Sequence, residues 1–180
     1  MARIIVVTSG SRRQFIGDRL LPGDQGSLFF IPPGVPHRSQ LLEESTSLTL
    51  GFQLEFLYPQ FPRSAVHTWA SPASLEAAPE LMPFAAQAHM EFEAQGELQE
   101  RLFDHATQLC ACASTQGLGV SAIARARLSL FLLEVLKSFE SSVVESLAQG
   151  ANAELVFVGK PSASDQAIND TIAAAIDEGL

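Results

Sequence analysis

The sequence has few basic residues, and lysine is almost missing. Lys137 and Lys160 are the only lysines among 180 residues, and 11 basic residues stand against 20 acidic ones. The formal net charge is −9. This charge excludes a nucleic-acid-binding surface made by these residues, because binding to the phosphate backbone depends on lysine and arginine. Residues 1–42 carry a charge of +3 and residues 43–180 a charge of −12, so we infer two unlike parts rather than a repeat.

Cysteine and long apolar runs are also scarce. Cys110 and Cys112 are the only cysteines, and two positions apart in a predicted helix they should point in different directions. We therefore expect neither a disulfide nor a metal clip, and the neighbouring Leu and Ala residues are typical of inert buried thiols. The apolar run at residues 4–7 is too short for a signal peptide, and no run has the length of a membrane span. We expect a cytoplasmic protein with no membrane partner.

Motifs for catalysis and metal binding are missing. The sequence has no glycine-rich phosphate loop and no Gly-x-Ser-x-Gly turn around a nucleophile. His37 is the first of four histidines, and it is preceded by no His-x-His pair. Because a metal centre needs three or four protein ligands, we expect no metal, no cofactor and no catalytic residue, hence no enzyme.

The first third of the chain has the pattern of β structure. Predicted strands cover residues 3–8, 12–16, 27–31 and 45–56, separated by turns rich in Gly and Pro. The last strand alternates strictly, with apolar residues on one face and mostly polar residues on the other, as a half-buried strand does. Residues 58–79 form a loop-rich bridge, where Trp69 near His67 is expected to anchor a loop or line a pocket. Short strands with such turns favour a small barrel or sandwich.

The remainder of the chain has a helical pattern. Apolar residues at helical spacing predict helices over residues 79–95, 97–115 and 121–149, and Gly150 should end the last of them. The second and third helices are joined by a short Gly-containing turn, which predicts an antiparallel helical hairpin. A short strand at residues 155–158 and a final helix beginning near Ser162 complete the pattern.

The most specific motif runs from Gly26 to His37. It has Gly26, then five residues, Pro32, one residue, Gly34, two residues and His37, a spacing that resembles the second sequence motif of the cupin barrel. Two interpretations of His37 are open. It either contacts a ligand inside the barrel or orders the turn through a hydrogen bond.

This segment begins a longer resemblance. Together with residues 48–56, Pro79-Glu80-Leu81 and the helical hairpin, it resembles the N-terminal regulatory domain of AraC-family transcription regulators. The resemblance implies an α+β fold: a small cupin-like antiparallel β-barrel (double-stranded β-helix) followed by an antiparallel helical hairpin. It implies an effector-binding region at residues 1–78, a dimerisation region at 79–150, and a linker at 151–180 that leads to a DNA-binding domain absent from this sequence.

The resemblance also implies the partners: a small-molecule effector, a second copy of the chain in a homodimer, and DNA through the absent C-terminal domain only. The expected ligand-binding residues are His37, Phe15, Phe30, Phe52, Arg13 and Arg38. The two arginines could hold a carboxylate of the effector. The expected dimerisation residues are Leu128, Phe131, Leu132, Val135, Leu136 and Phe139, whose wide apolar face is either buried in the chain's own core or, as we favour, covered by a partner. The alternative is a stand-alone small cupin, either a metal-dependent enzyme or a protein that binds a sugar or metabolite.

Overall fold

The computed structural model describes residues 1–42, 44–59 and 72–157, without the side chains of residues 72, 73 and 151–157. The expectations for His67 and Trp69, for residue 158 and for the helix beginning near Ser162 lie outside the described residues. The strands are β1 (Ala2–Ser9), β2 (Arg12–Ile16), β3 (Arg19–Gly23), β4 (Ser27–Ile31), β5 (His37–Leu41), β6 (Thr46–Phe52) and β7 (Phe92–Glu93). The helices are α1 (Leu54–Leu57), α2 (Pro72–Ala77), α3 (Met82–Ala86), α4 (Gly96–Ala113), α5 (Val120–Ser138) and α6 (Glu140–Phe157), with a 3-10 turn at Pro79–Leu81.

The described strands form two antiparallel sheets. The large sheet has the order β6-β1-β4-β7 and the small sheet the order β3-β2-β5. The α+β class, with antiparallel sheets and helices, is confirmed. The strands lie in two separate sheets, and the closed cupin barrel stays a prediction, as do the region boundaries at residues 78 and 150.

The large sheet is the middle layer of three, which explains the unbroken apolar runs in β1 and β4. In β1, Ile4 and Val6 join the core against the helices, whereas Ile5 and Val7 join the core against the small sheet. Successive side chains of a strand point to opposite faces, so a strand covered on both faces needs apolar residues at every position. β4 has the same pattern, and all five of its residues are buried.

Aromatic rings of the large sheet and the buried side chains of α5 form the core between the large sheet and the helical layer. Phe30 makes edge-to-face contacts with Phe84 and Phe92, at centroid distances of 5.3 and 4.8 Å. α4 and α5 pack together as the predicted antiparallel hairpin, since Arg101 bonds Glu134 near one end and Gln108 bonds Arg127 near the other. The helical layer therefore rests directly on the face of the large sheet that carries Phe30.

The helix predicted over residues 79–95 is wrong. The chain forms a 3-10 turn and the short helix α3, and then leaves the helical path to add β7 to the edge of β4. β7 pairs only with Ser27 and Leu28, so the N–H of Phe30 has no strand partner and donates to Oε1 of Gln87 instead, at 2.8 Å. Gln87 is 2% exposed, and buried backbone groups need such a substitute partner.

The single helix predicted over residues 121–149 is also wrong. It is divided at Phe139, whose backbone leaves the helical conformation, and α6 then folds back onto α3, where Ser146 Oγ donates to the carbonyl of Ala86. Gly150 does not end the helix. It lies where α6 passes His89, and a Cβ there would be 2.9 Å from His89 Nε2, so glycine permits a close approach. Residues 155–157, predicted as part of a strand, belong to α6.

Candidate functional site

A row of polar side chains lies between the two sheets, on the side where β5 and β6 are the sheet edges. Alternation places Arg12, Gln14 and Ile16 of β2 on the inner face of the small sheet, where they are 6%, 0% and 9% exposed. The register pairs Gln14 with Ser39 and Ile16 with His37, so β5 continues the row. Ile16 belongs to the apolar core between the sheets. The polar side chains run from His37, opposite Ile16, to Arg12 at the other end of β2.

His37 has both ring nitrogens in hydrogen-bond contact. Nδ1 is 3.1 Å from the carbonyl oxygen of Val35, which can only accept, so Nδ1 carries the proton. Nε2 is therefore the acceptor for the Arg3 guanidinium, at 2.9 Å. Of the two interpretations of His37, the turn-ordering hydrogen bond is present. Ligand contact by His37 stays a prediction.

Arg12 is a buried cation at the other end of this row. Its Nε and Nη2 donate to Ser45 Oγ at 3.2 and 3.0 Å, and no described carboxylate lies within ion-pair distance of it. Burial lowers the pKa of the Arg12 guanidinium, because a low-dielectric environment disfavours the charged form. Buried charges in proteins are normally paired, so a guanidinium whose only partner among the described residues is a hydroxyl is unusual.

Gln14 lies between these two ends and is fully buried. Its Oε1 accepts a hydrogen bond from Ser39 Oγ at 2.5 Å, whereas its Nε2 has only a long contact of 3.5 Å with the carbonyl of Phe15. The row therefore presents underused N–H donors from Gln14 and Arg12, and a second guanidinium from Arg3. Arg3, Arg12, Gln14, Ser39, Ser45 and His37 are called the inter-sheet row below.

The six predicted ligand-binding residues do not form one site. His37 alone belongs to the inter-sheet row. Arg13, Phe15 and Arg38 lie on the outer face of the small sheet, where the Arg38 guanidinium stacks 4.1 Å from the Phe15 ring centroid. Phe30 and Phe52 lie on the helix-facing side of the large sheet and are buried there. The structure therefore places none of Arg13, Phe15, Arg38, Phe30 and Phe52 in the space between the sheets, and a role of these residues in ligand binding stays a prediction.

Sequence reasoning missed Arg3, Arg12 and Gln14, although one signal could have found two of them. Ile16 is the most apolar residue of β2, which suggests that its side of the strand faces inward. Arg12 and Gln14 share that side, since a strand repeats every two residues, whereas Arg13 and Phe15 are on the other.

The expected dimerisation residues are mostly covered by the chain itself. Leu128, Phe131, Leu132 and Val135 are 0–3% exposed, and Leu136 and Phe139 pack partly buried against the same core. The four buried residues thus lie in the chain's own core, and their role in dimerisation stays a prediction. The exposed apolar side chains of α5 are instead Ile123, Leu130 and Leu133, and dimerisation itself stays a prediction.

A cavity of about 360 Å³ lies elsewhere, at the β6 edge of the large sheet. Its walls come from β6, α1, the end of α4 and the start of α5. They are formed by Thr49, Leu50, Gly51, Phe52, Phe56, Leu109, Cys110, Cys112, Ala113, Thr115, Val120, Ser121, Ala124 and Leu128. Both cysteines are free, half-buried and part of this wall, so they are not the deeply buried thiols that we expected. Burial nevertheless raises the pKa of the Cys110 thiol.

Comparisons with known proteins add no relative. Neither the models of known protein families nor the sequences of curated proteins match this chain. Within the described ranges, no group of three or more His, Cys, Asp or Glu side chains could hold a metal ion. None of the described helices combines the length and the apolar character needed to cross a bilayer.

Proposed function

We propose that this chain is the sensing domain of an AraC-type transcription regulator, in which the two sheets act as a cupin-like barrel and a small anionic effector binds at the inter-sheet row. The observation that carries the proposal is Arg12, a buried guanidinium without a carboxylate partner among the described residues. An anionic ligand would supply the missing countercharge, and paired guanidinium–carboxylate contacts are strong in a low-dielectric site.

The spacing of the row favours one class of effector. Side chains on one face of a strand are about 7 Å apart, so Arg12 and Gln14 can reach the same carboxylate. The Arg3–His37 pair lies at the opposite end of the row, beside Ile16, at a strand distance of about 13 Å from Arg12. We therefore expect a small organic acid whose carboxylate pairs with Arg12 and whose hydroxyl or second carboxylate points toward the Arg3–His37 end.

The layer order supports a route for the signal. β1 and β4 send alternate side chains to the inter-sheet core and to the helical core, so a shift of the large sheet affects both. Signalling requires that the effector bind two arrangements of the protein unequally. The helices would then alter a dimer formed through the exposed apolar residues of α5, and DNA contact would belong to a domain outside this chain.

The test of this proposal is calorimetry and thermal unfolding with a panel of acids: acetate, lactate, malonate, succinate, glutarate and gluconate. We expect at least one to bind, and Arg12→Gln to weaken it roughly 10- to 100-fold, since a charged hydrogen bond contributes about 1.5–3 kcal/mol. Arg13→Gln is the matched control, because Arg13 is the next residue of the same strand but is exposed on the outer face. Equal effects of the two variants, or no bound acid, would contradict the proposal.

Reading the gene beyond codon 180 separates the regulator from a stand-alone binding protein. The regulator predicts a continuing frame that encodes two helix-turn-helix motifs. A stop codon directly after Leu180 would leave effector binding intact as a function and remove the role in transcription.

A further inference from the structure

The cavity at the β6 edge differs in chemistry from the inter-sheet row. Among the described residues that line it, none carries a charge and eight are apolar: Leu50, Phe52, Phe56, Leu109, Ala113, Val120, Ala124 and Leu128. The remaining groups are the hydroxyls of Thr49, Thr115 and Ser121, the two thiols and Gly51. Such a lining favours a neutral molecule, because burying an ion against apolar side chains is costly. The charge nearest to it among the described contacts is the Arg125 guanidinium, 5.6 Å from the ring centroid of Phe56.

The size of the cavity suits a small organic molecule. Its volume of about 360 Å³ is at the lower end of the range for ligand pockets, roughly 300–1,000 Å³. A dry engineered cavity of about 150 Å³ is known to accept benzene, so this space has room for a bicyclic molecule. Two aromatic rings, Phe52 and Phe56, are on the wall and offer flat surfaces for stacking.

We propose that this cavity is a second ligand site, which binds a neutral, mainly apolar molecule of one or two fused rings that carries a single hydroxyl or similar polar group. The apolar walls supply the affinity, and the hydroxyls of Thr49, Thr115 and Ser121 orient the polar group. The site is independent of the proposed function, because Leu50 and Phe52 lie on the helix-facing side of the large sheet whereas the inter-sheet row lies on its other side.

The first test is a titration with 2-naphthol, a neutral fluorescent molecule of this class. We expect saturable binding by the unmodified chain, and loss of at least about tenfold in affinity in Ala124→Phe, whose ring would occupy the cavity. Ala122→Phe is the matched control, since Ala122 is on the same helix but exposed and away from the cavity. Failure of 2-naphthol to bind saturably, or equal binding by the two variants, would overturn the proposal.

The second test needs no variant and so does not depend on the folding of Ala124→Phe. Cys110 and Cys112 are the only cysteines in the chain and both belong to the residues that line the cavity, so alkylation of each by iodoacetamide is followed separately by mass spectrometry. Two positions apart in a helix, the two side chains point in different directions, so one thiol faces the bound molecule more than the other. At ten times its dissociation constant, 2-naphthol should slow alkylation of that thiol about tenfold, because only the empty fraction reacts. An unchanged rate would overturn the proposal, and so would equal protection by succinate, which should not enter an uncharged apolar cavity.

Discussion

At the scale of single residues, Tyr58 has the most distinctive environment. It is the only tyrosine in the chain, and its hydroxyl donates a hydrogen bond to Glu80 of the 3-10 turn. Burial raises the pKa of Tyr58, and the hydrogen bond and the negative charge of Glu80 raise it further. The contact ties the end of α1 to the start of the helical layer.

Absorbance at 295 nm should show this shift directly, since no other tyrosine contributes. The native chain should ionise Tyr58 well above pH 10, whereas the chain in denaturant should ionise it near pH 10. The native state keeps the proton where the unfolded state loses it, so the free energy of unfolding should fall as the pH rises above about 10. Tyr58→Phe should lose this dependence. A native midpoint at or below pH 10 would contradict the described contact.

Gly26 of the cupin-like motif is required by a contact that the sequence around it does not predict. Its φ of +97° favours glycine, and a Cβ there would lie 2.3 Å from the carbonyl oxygen of Ala94. The strand predicted directly after Gly26, over residues 27–31, is confirmed. The partner that enforces glycine comes from residue 94, however, and a contact so distant in sequence leaves no local pattern.

At the scale of elements, α5 has a buried face and an exposed face that can be separated by adjacent residues. Phe131 is fully buried in the helical core, whereas Leu130 is 57% exposed. Phe131→Ala should lower the free energy of unfolding by about 3–5 kcal/mol, because it removes a buried ring and leaves a cavity. Leu130→Ala should change it by no more than about 0.5 kcal/mol at concentrations where the chain is monomeric.

Sedimentation equilibrium of the same two variants tests the dimer. If the exposed face of α5 makes the interface, Leu130→Ala weakens association while leaving the fold intact. Ile123→Ala and Leu133→Ala are tested in the same way. If none of the three variants changes the dissociation constant of the dimer, this face of α5 is not the interface.

Elements with a strong local pattern were predictable, and those made by pairing were not. β1, β4 and α4 have apolar runs or helical spacing, and β6 alternates, so the sequence predicts them to within a few residues except for the end of β6. β5 has the sequence His-Arg-Ser-Gln-Leu, which contains no apolar alternation, and it is a strand because β2 pairs with it. β7 has two residues, and it exists because β4 offers an edge.

The candidate site was less predictable than the fold for the same reason. His37 was found through its motif, but its partner Arg3 is 34 positions away. Arg13 and Arg38 were favoured because an arginine can hold a carboxylate, and the sequence does not show that Arg12 is the buried arginine of this strand. Which face of a short strand points inward depends on the second sheet, and that sheet contains two strands that have no clear sequence signal.

At the scale of the whole molecule, the uneven charge acquires a structural meaning. Residues 1–42 form the basic part of the chain, and they contain β1 to β5 and both guanidiniums of the inter-sheet row. The acidic excess falls entirely after residue 42. In the proposed function, the acidic protein has a positively charged site between its two sheets. Arg12 then serves ligand binding and does not stabilise the fold.

The free energy of unfolding of Arg12→Met tests that claim most directly, measured with and without the acid that binds most tightly in the panel. Methionine fills a similar volume without a buried charge, and replacing such charges by apolar side chains is often neutral or stabilising. The account predicts that in acid-free buffer the variant is at least as stable as the unmodified chain, and that the bound acid stabilises only the unmodified chain. Breaking a buried contact that stabilises the fold lowers the free energy of unfolding by about 3 kcal/mol or more. A loss of that size for Arg12→Met in acid-free buffer would contradict the account.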